Sequence, residues 1–203
     1  MILSTMRNKV QSYLTETESA QLLRMPDRMT LLGKRDYAIL LLFIRTGIRL
    51  SELCNLRRGD LRTEGKKVWI YVYGKGGKQR RIPIRDHELL KSLMLYWKKA
   101  ALQPTAESPM FTATVVQNKG EDGRIRSTAV KYLVKKYAKL AQIQKPIHVH
   151  SLRHTFITHA LRKSSDITAV QKLAGHSSIT STQVYLHTDD ERMEMAIEKM
   201  QNF

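Results

Sequence analysis

Six of the chain's seven histidines fall between His148 and His187, in a stretch that also carries Arg153 and Tyr185. The apolar residues there recur at helical intervals: Leu152, Phe156, Ala160 and Leu161, then Ile167, Val170, Leu173 and Ala174. Those are core material and need no functional reading. His150, Arg153, His176 and Tyr185 are different, because none is a default core residue and arginine is almost never fully buried unpaired. Two further sources of positive charge lie earlier in the chain. Arg49 follows the Thr46-Gly47 turn, and Lys75 and Lys78 project from the glycine-rich segment GKGGK.

Two chemistries compete for these groups. His150 and His154 have the four-residue spacing of a zinc pair, but Ser151 stands where H-E-x-x-H needs Glu, and the Arg153 guanidinium opposes a cation. The carboxylates that sit together, Asp189, Asp190 and Glu191, lie in the tail, so a two-metal hydrolytic cluster is not expected either. We expect no metal and no cofactor. A phosphodiester substrate fits better. Its transition state spreads negative charge over non-bridging oxygens, which two arginines and one or two histidines can stabilise. A tyrosine hydroxyl, with an ordinary pKa of about 10, is a weak nucleophile that the same cationic nest would favour as phenolate. The leaving alkoxide needs a proton, and a lysine ammonium can supply it.

Thr15 and Glu18 form a T-x-x-E capping box ahead of Ala20, Leu22 and Leu23, a helix start. Residues 24–34 read as a turn, and Asp36 opens a helix whose centre, YAILLLFI, is apolar all round and belongs in the middle of a core. The next helix, IRLSELCNL, places Arg49 and Glu52 three apart on one face. An exposed ion pair would suffice to explain that arginine. Its place after a glycine turn, at the end of the most buried helix, gives it the rigid base that an anion ligand needs. Residues 67–73 alternate as a strand with both faces packable, 79–84 complete a hairpin, and 61–63 add a third short strand. The hairpin glycines lack G-x-x-x-x-G-K-[ST] and no helix follows, which argues against a nucleotide P-loop. Helices follow over 87–102, packing through Leu89, Leu90, Leu93, Met94 and Trp97, and over 128–142, capped by Ser127. The second has Val130, Leu133, Val134, Tyr137 and Leu140 inward and Lys131, Lys135, Lys136 and Lys139 outward, with an irregular loop at 112–125 before it.

Composition narrows the partner. Thirty-five Lys and Arg against 18 Asp and Glu give a net charge of +17, with a pI near 10.1. A surplus that large points to a polyanion, nucleic acid first and an acidic membrane surface second. Cys54 is the only cysteine, which rules out an intrachain disulfide and suits a reducing compartment. The longest run without a polar side chain, 38–44, is far below a membrane span, and the first ten residues lack an apolar signal core. We expect a cytoplasmic, nucleoid-associated protein.

At the chemistry-bearing residues the sequence resembles the tyrosine recombinase (phage integrase) family. The T-G-[LI]-R-x-S-E-L block is Thr46-Gly47-Ile48-Arg49-Leu50-Ser51-Glu52-Leu53, and the G-K-G-x-K-x-R hairpin is Gly74-Lys75-Gly76-Gly77-Lys78-Gln79-Arg80. The H-x-L-R-H box is His150-Ser151-Leu152-Arg153-His154, L-x-G-H is Leu173-Ala174-Gly175-His176, and T-x-x-Y-x-H is Thr182-Gln183-Val184-Tyr185-Leu186-His187. The 23 positions from Arg153 to His176 and the 9 from His176 to Tyr185 are spacings of Xer-like members. In the box before His176, Ser164-Ser165 replaces the usual small glycine turn.

The resemblance implies an α+β fold, mainly α-helical, with a small three-stranded antiparallel sheet, shared with type IB topoisomerases. It implies a site-specific recombinase that cuts and rejoins double-stranded DNA through a 3′-phosphotyrosyl link, without metal or ATP. Tyr185 would be the nucleophile and Lys75, rather than Lys78, the acid. Arg49, His150, Arg153 and His176 would stabilise the transition state, and Glu52 would orient the cations. Lys78, Arg80, Arg81, Arg126 and Lys131 are the candidate DNA contacts, with Arg126 at the start of a helix entering the major groove. A relaxing topoisomerase would use the same six residues, and a non-catalytic DNA-binding regulator would have lost one of them. The resemblance further implies a homo-oligomer, a tetramer on DNA, and no membrane. We read 1–14 as a leader or linker remnant and 15–203 as the catalytic domain. The tail 188–203 packs either on its own domain or on a neighbouring protomer. The family's N-terminal clamping domain is not expected in this sequence, as in a piece of a longer recombinase or a short fimbrial-switch type of invertase.

Overall fold

The computed structural model describes residues 13–74, 77, 79–100, 105–114, 120, 122–164 and 166–175. Helix α1 (Glu16–Arg24) begins at the expected capping box, with Thr15 accepting from the Glu18 N–H and Glu18 accepting from the Thr15 N–H. Helix α2 (Leu31–Thr46) starts five residues before the position expected from its apolar run. Thr30 Oγ1 accepts the Gly33 N–H at 3.0 Å and caps it there. Asp36 is therefore not a helix opener. It is buried within the helix, where it accepts from Arg35 Nε and Nη2 (3.0 and 2.8 Å) and from the Tyr137 hydroxyl (3.0 Å). From Ala38 to Phe43 every residue of α2 is fully buried, as its all-round apolarity requires.

Helix α2 ends at Gly47, left-handed at φ 59°, a conformation that L-residues with a Cβ disfavour. Helix α3 (Leu50–Asn55) begins immediately after it. A 3₁₀ turn at Arg58–Asp60 leads into an antiparallel sheet of β1 (Leu61–Glu64), β2 (Lys67–Tyr73) and β3 (Gln79–Ile84), ordered β1-β2-β3. Ile70, Val72, Ile82 and Ile84 face the core. Among the described residues the opposite face packs on no further layer. Its aromatic rings are covered by arginines, Arg81 lying 4.3 Å from the Trp69 ring and Arg62 4.5 Å from the Tyr71 ring.

Helix α4 (His87–Lys99) packs on α2 and buries Leu89, Leu93 and Tyr96, whose ring stacks on Phe111. Met94, placed inward by its spacing, is 60% exposed, because Tyr96 and Ser92 fill the buried stripe. At the two ends of the segment 112–125, Thr112 and Arg124 form a bridge, and the Ile125 N–H donates to the Phe111 carbonyl. Helix α5 (Ser127–Leu140) is capped at Arg126, with Ser127 already inside it. Val130, Leu133, Val134 and Tyr137 point inward and the four lysines outward, while Leu140 is exposed. Helix α6 (Val149–Ser164) crosses α2, and α7 (Ile167–Ala174) folds back on α6. Among the described residues no helix is long and apolar enough to cross a membrane.

Leu14 departs from the reading of 1–14 as a leader. It is fully buried, and its N–H donates 2.9 Å to Thr155 Oγ1 of α6. Leu14→Ala is expected to cost about 2–5 kcal/mol in urea unfolding, the range of a core truncation. A leader residue would change stability by no more than about 0.5 kcal/mol.

Candidate active site

The site is assembled from helix ends. The last carbonyls of a helix have no intrahelical donor and sit at the negative end of its dipole. Arg153, 4% exposed, projects from α6 between two such ends. Its Nη1 donates to the Gly47 carbonyl closing α2 (2.5 Å), and its Nη2 to Ala174 at the end of α7 (2.6 Å). Arg49, at the start of α3, donates from Nη2 to the carbonyl of Gly175, the α7 cap, at 2.5 Å. Gly175 is left-handed (φ 68°), and a Cβ there would lie 3.0 Å from Arg80 Nη1 and 3.1 Å from Arg49 Nη1. Only glycine suits both its backbone and its crowding.

Glu52 ties the arginines together. Its carboxylate accepts from the Arg49 N–H (2.8 Å) and Arg49 Nη1 (3.0 Å), and in fork geometry from Arg80 Nη1 and Nη2 (2.7 and 2.8 Å). Burial pushes the Glu52 carboxyl up. The hydrogen bonds from Arg80 and from the Arg49 N–H, with the Arg80 charge, outweigh burial and hold it at about 2.

Arg49, His150 and Arg153 line one cleft of about 490 Å³ with Ile48, Leu50, Lys131, Lys135, His148 and Val149. A phosphodiester seated there would meet cations on two walls, the α3–α6 side and the lysine face of α5. Partial burial of the ring and the neighbouring Arg153 charge lower the pKa of His150 below that of an ordinary imidazole. His150 and His154 meet edge to face, 4.9 Å between ring centres.

Among the twelve residues singled out from sequence, the structure thus gathers Arg49, Glu52, His150, Arg153 and Lys131 around one cleft. Arg81 lies apart on the outer face of the sheet, paired with Glu64 at 3.1 Å, and Arg126 is exposed at the α5 cap. Arg80 points away from that outer face. It sits opposite Val72 on the core side of the sheet, bound to Glu52 and, through Nε, to the Leu173 carbonyl at 3.0 Å. Lys75, Lys78, His176 and Tyr185 lie outside the described residues. Sequence reasoning missed Lys135 and His148 as cleft residues. The first had a signal, since it follows Lys131 by one helical turn on the same face. His148, two before His150, had only its neighbourhood. Among the described residues no three His, Cys, Asp or Glu side chains gather as a metal-binding group.

A helical domain with one small antiparallel sheet of this kind has known counterparts. Residues 12–192 match the phage integrase family, and the chain belongs to it. The tyrosine recombinase XerC of Thermodesulfovibrio yellowstonii is 35% identical over 191 residues, covering 90% of this chain and 60% of that protein. The crystal structure of XerA recombinase superposes with a TM-score of 0.74 at 30% identity, covering 93% of this chain and 64% of the other. XerH bound to a palindromic difH substrate in a post-cleavage complex gives a TM-score of 0.78 at 22% identity, covering 98% and 56%, and shows the same fold. The chain spans about 60% of the length of the curated relatives it matches.

The depressed Glu52 pKa has a consequence for stability. A carboxylate held at about 2 when folded, against 4.5 ordinarily, stabilises the fold fully above about pH 4.5, and that contribution is lost as pH falls towards 2. Wild type should exceed Glu52→Gln in unfolding free energy at pH 7 by about 3 kcal/mol, the gap closing between about pH 4.5 and 2. A gap independent of pH would contradict the assignment.

Proposed function

We propose that this chain cuts and rejoins double-stranded DNA as a site-specific recombinase, through a 3′-phosphotyrosyl intermediate. The observation that carries the reading is the single cleft into which Arg49, His150 and Arg153 converge, with both arginines pinned to helix-end carbonyls. Cations fixed before substrate arrives need no reorganisation when charge develops at phosphorus. The net charge of +17 and the lysine wall of α5 suit a duplex backbone. The XerC and XerA relatives are named as recombinases, and XerH is described on its DNA substrate, which supports the same partner here.

The chemistry balances without an external energy source. Tyr185, as the phenolate with its proton released to water, attacks phosphorus as the bond from phosphorus to the 5′-oxygen breaks. Lys75 gives a proton to that oxygen, leaving a free 5′-hydroxyl and a phosphotyrosyl ester. Arg49, Arg153, His150 and His176 stabilise the pentacovalent charge. The ester conserves the bond energy, so attack by another 5′-hydroxyl reverses the step and rejoins strands, with neither ATP nor metal required. Productive exchange pairs two duplexes, and we propose a homotetramer on DNA. The position of Lys75, His176 and Tyr185 within the family's ordered motifs supports their roles.

On a nicked duplex that traps cleavage, Tyr185→Phe is expected to bind DNA as wild type does and form no covalent adduct on a denaturing gel. A surviving adduct removes Tyr185 from its role. Lys75→Ala should slow cleavage by about 10²–10⁴-fold, with recovery when the leaving group is a 5′-thiol, which needs no acid. Recovery in Lys78→Ala alone would assign the acid to Lys78.

A further inference from the structure

The three last carbonyls of the α7 end are each taken by a different arginine. Leu173 receives Arg80 Nε (3.0 Å), Ala174 receives Arg153 Nη2 (2.6 Å) and Gly175 receives Arg49 Nη2 (2.5 Å). The donors come from β3, α6 and the start of α3. Two of these arginines also line the cleft, and Arg80 does not. Its side chain is 15% exposed and its Nη edge is occupied by the two oxygens of the Glu52 side chain, itself 3% exposed.

We propose that Arg80 is a positioning residue for strand cleavage, holding Arg49 through Glu52 and the end of α7 through the Leu173 carbonyl. The inference rests on the recombinase reading above and adds a residue to its machinery. The physical reason lies in the shared carboxylate. Glu52 Oε1 accepts from both Arg49 Nη1 and Arg80 Nη1, and Oε2 from both the Arg49 N–H and Arg80 Nη2. With Arg80 in place the carboxylate plane is fixed by a fork, and Arg49 has one position in which it satisfies Glu52 and Gly175 together. Without the fork the carboxylate can turn about its terminal torsion, which is broad and two-fold, and Arg49 turns with it. A lysine restores charge but not the planar pair of donors.

Arg80 therefore governs the rate of cleavage rather than the affinity for DNA. The test uses this chain and a duplex selected from random-sequence DNA by wild-type binding, nicked beside the cleavage point. Adduct formation is measured at saturating DNA, and the dissociation constant separately. Arg80→Lys is expected to slow adduct formation about 10²-fold, the scale of a misplacement of about 1 Å at a reacting centre, with an affinity within about twofold of wild type. Glu52→Gln should slow it similarly, and Arg80→Lys combined with Glu52→Gln should be no slower than the slower single variant, because the two act as one unit. Circular dichroism at the assay temperature confirms folding, and Arg80→Gln serves if the lysine variant is unfolded.

Wild-type cleavage with an unchanged rate in Arg80→Lys overturns the inference and leaves the recombinase reading standing. Loss of affinity with the saturated rate preserved also overturns it, assigning Arg80 to DNA contact. Rate losses that multiply in the double variant overturn the Glu52 link. Absence of any adduct from wild type on the selected duplex overturns the recombinase reading, and the inference with it.

Discussion

Helix ends and buried arginines each lack something that the other supplies. A helix terminating in the interior leaves carbonyls without donors, and a buried guanidinium needs acceptors for a charge it cannot shed. In this protein the ends of α2 and α7 meet Arg153, and the end of α7 meets Arg49 and Arg80 as well. The cations are thereby fixed by backbone atoms, which move less than side chains. Gly47 and Gly175 make the close approach possible by taking the left-handed cap conformation. The cleft is consequently a property of how helices terminate rather than of any one surface loop.

One carboxylate governs how this concentration of charge is tolerated. Glu52 is buried and shared between two arginines, which keeps it ionised far below the ordinary range. A buried ion network of this kind contributes little net stability compared with apolar packing, but removing one member leaves the others uncompensated. That makes it suited to specifying an arrangement. The stability of the domain resides elsewhere, in the fully buried centre of α2 and the side chains of α4 and α6 packed against that helix.

The elements that position the site were largely legible in the sequence because their signals are local: the Thr15–Glu18 capping box, the all-apolar centre of α2, the alternation of β2 and the stripe of α5. The departures have particular causes. The true start of α2 depends on the Thr30 hydroxyl, a weaker signal than the apolar run beyond it. Met94 and Leu140 sit at helical spacing but on the margin of their stripes, where tertiary packing decides. Arg80 looks like its neighbour Arg81 as a hairpin cation. The strand's period of two sends one to the core face and the other to solvent, and only the pairing register tells which. Leu14 is core because its side chain is buried in the main hydrophobic cluster while its N–H is taken up by Thr155, 141 positions away, which no local pattern announces.

The most direct measurement is a crystal structure of this chain on nicked target DNA with vanadate bridging the cleaved ends. We predict Arg49, His150 and Arg153 within about 3 Å of the oxygens on that single vanadium, hydrogen-bonding distance, with the Tyr185 oxygen as its axial ligand. Vanadate bound away from the cleft between α3, α5 and α6, with those three side chains serving separate contacts, would contradict the claim that they form one phosphoryl-transfer site.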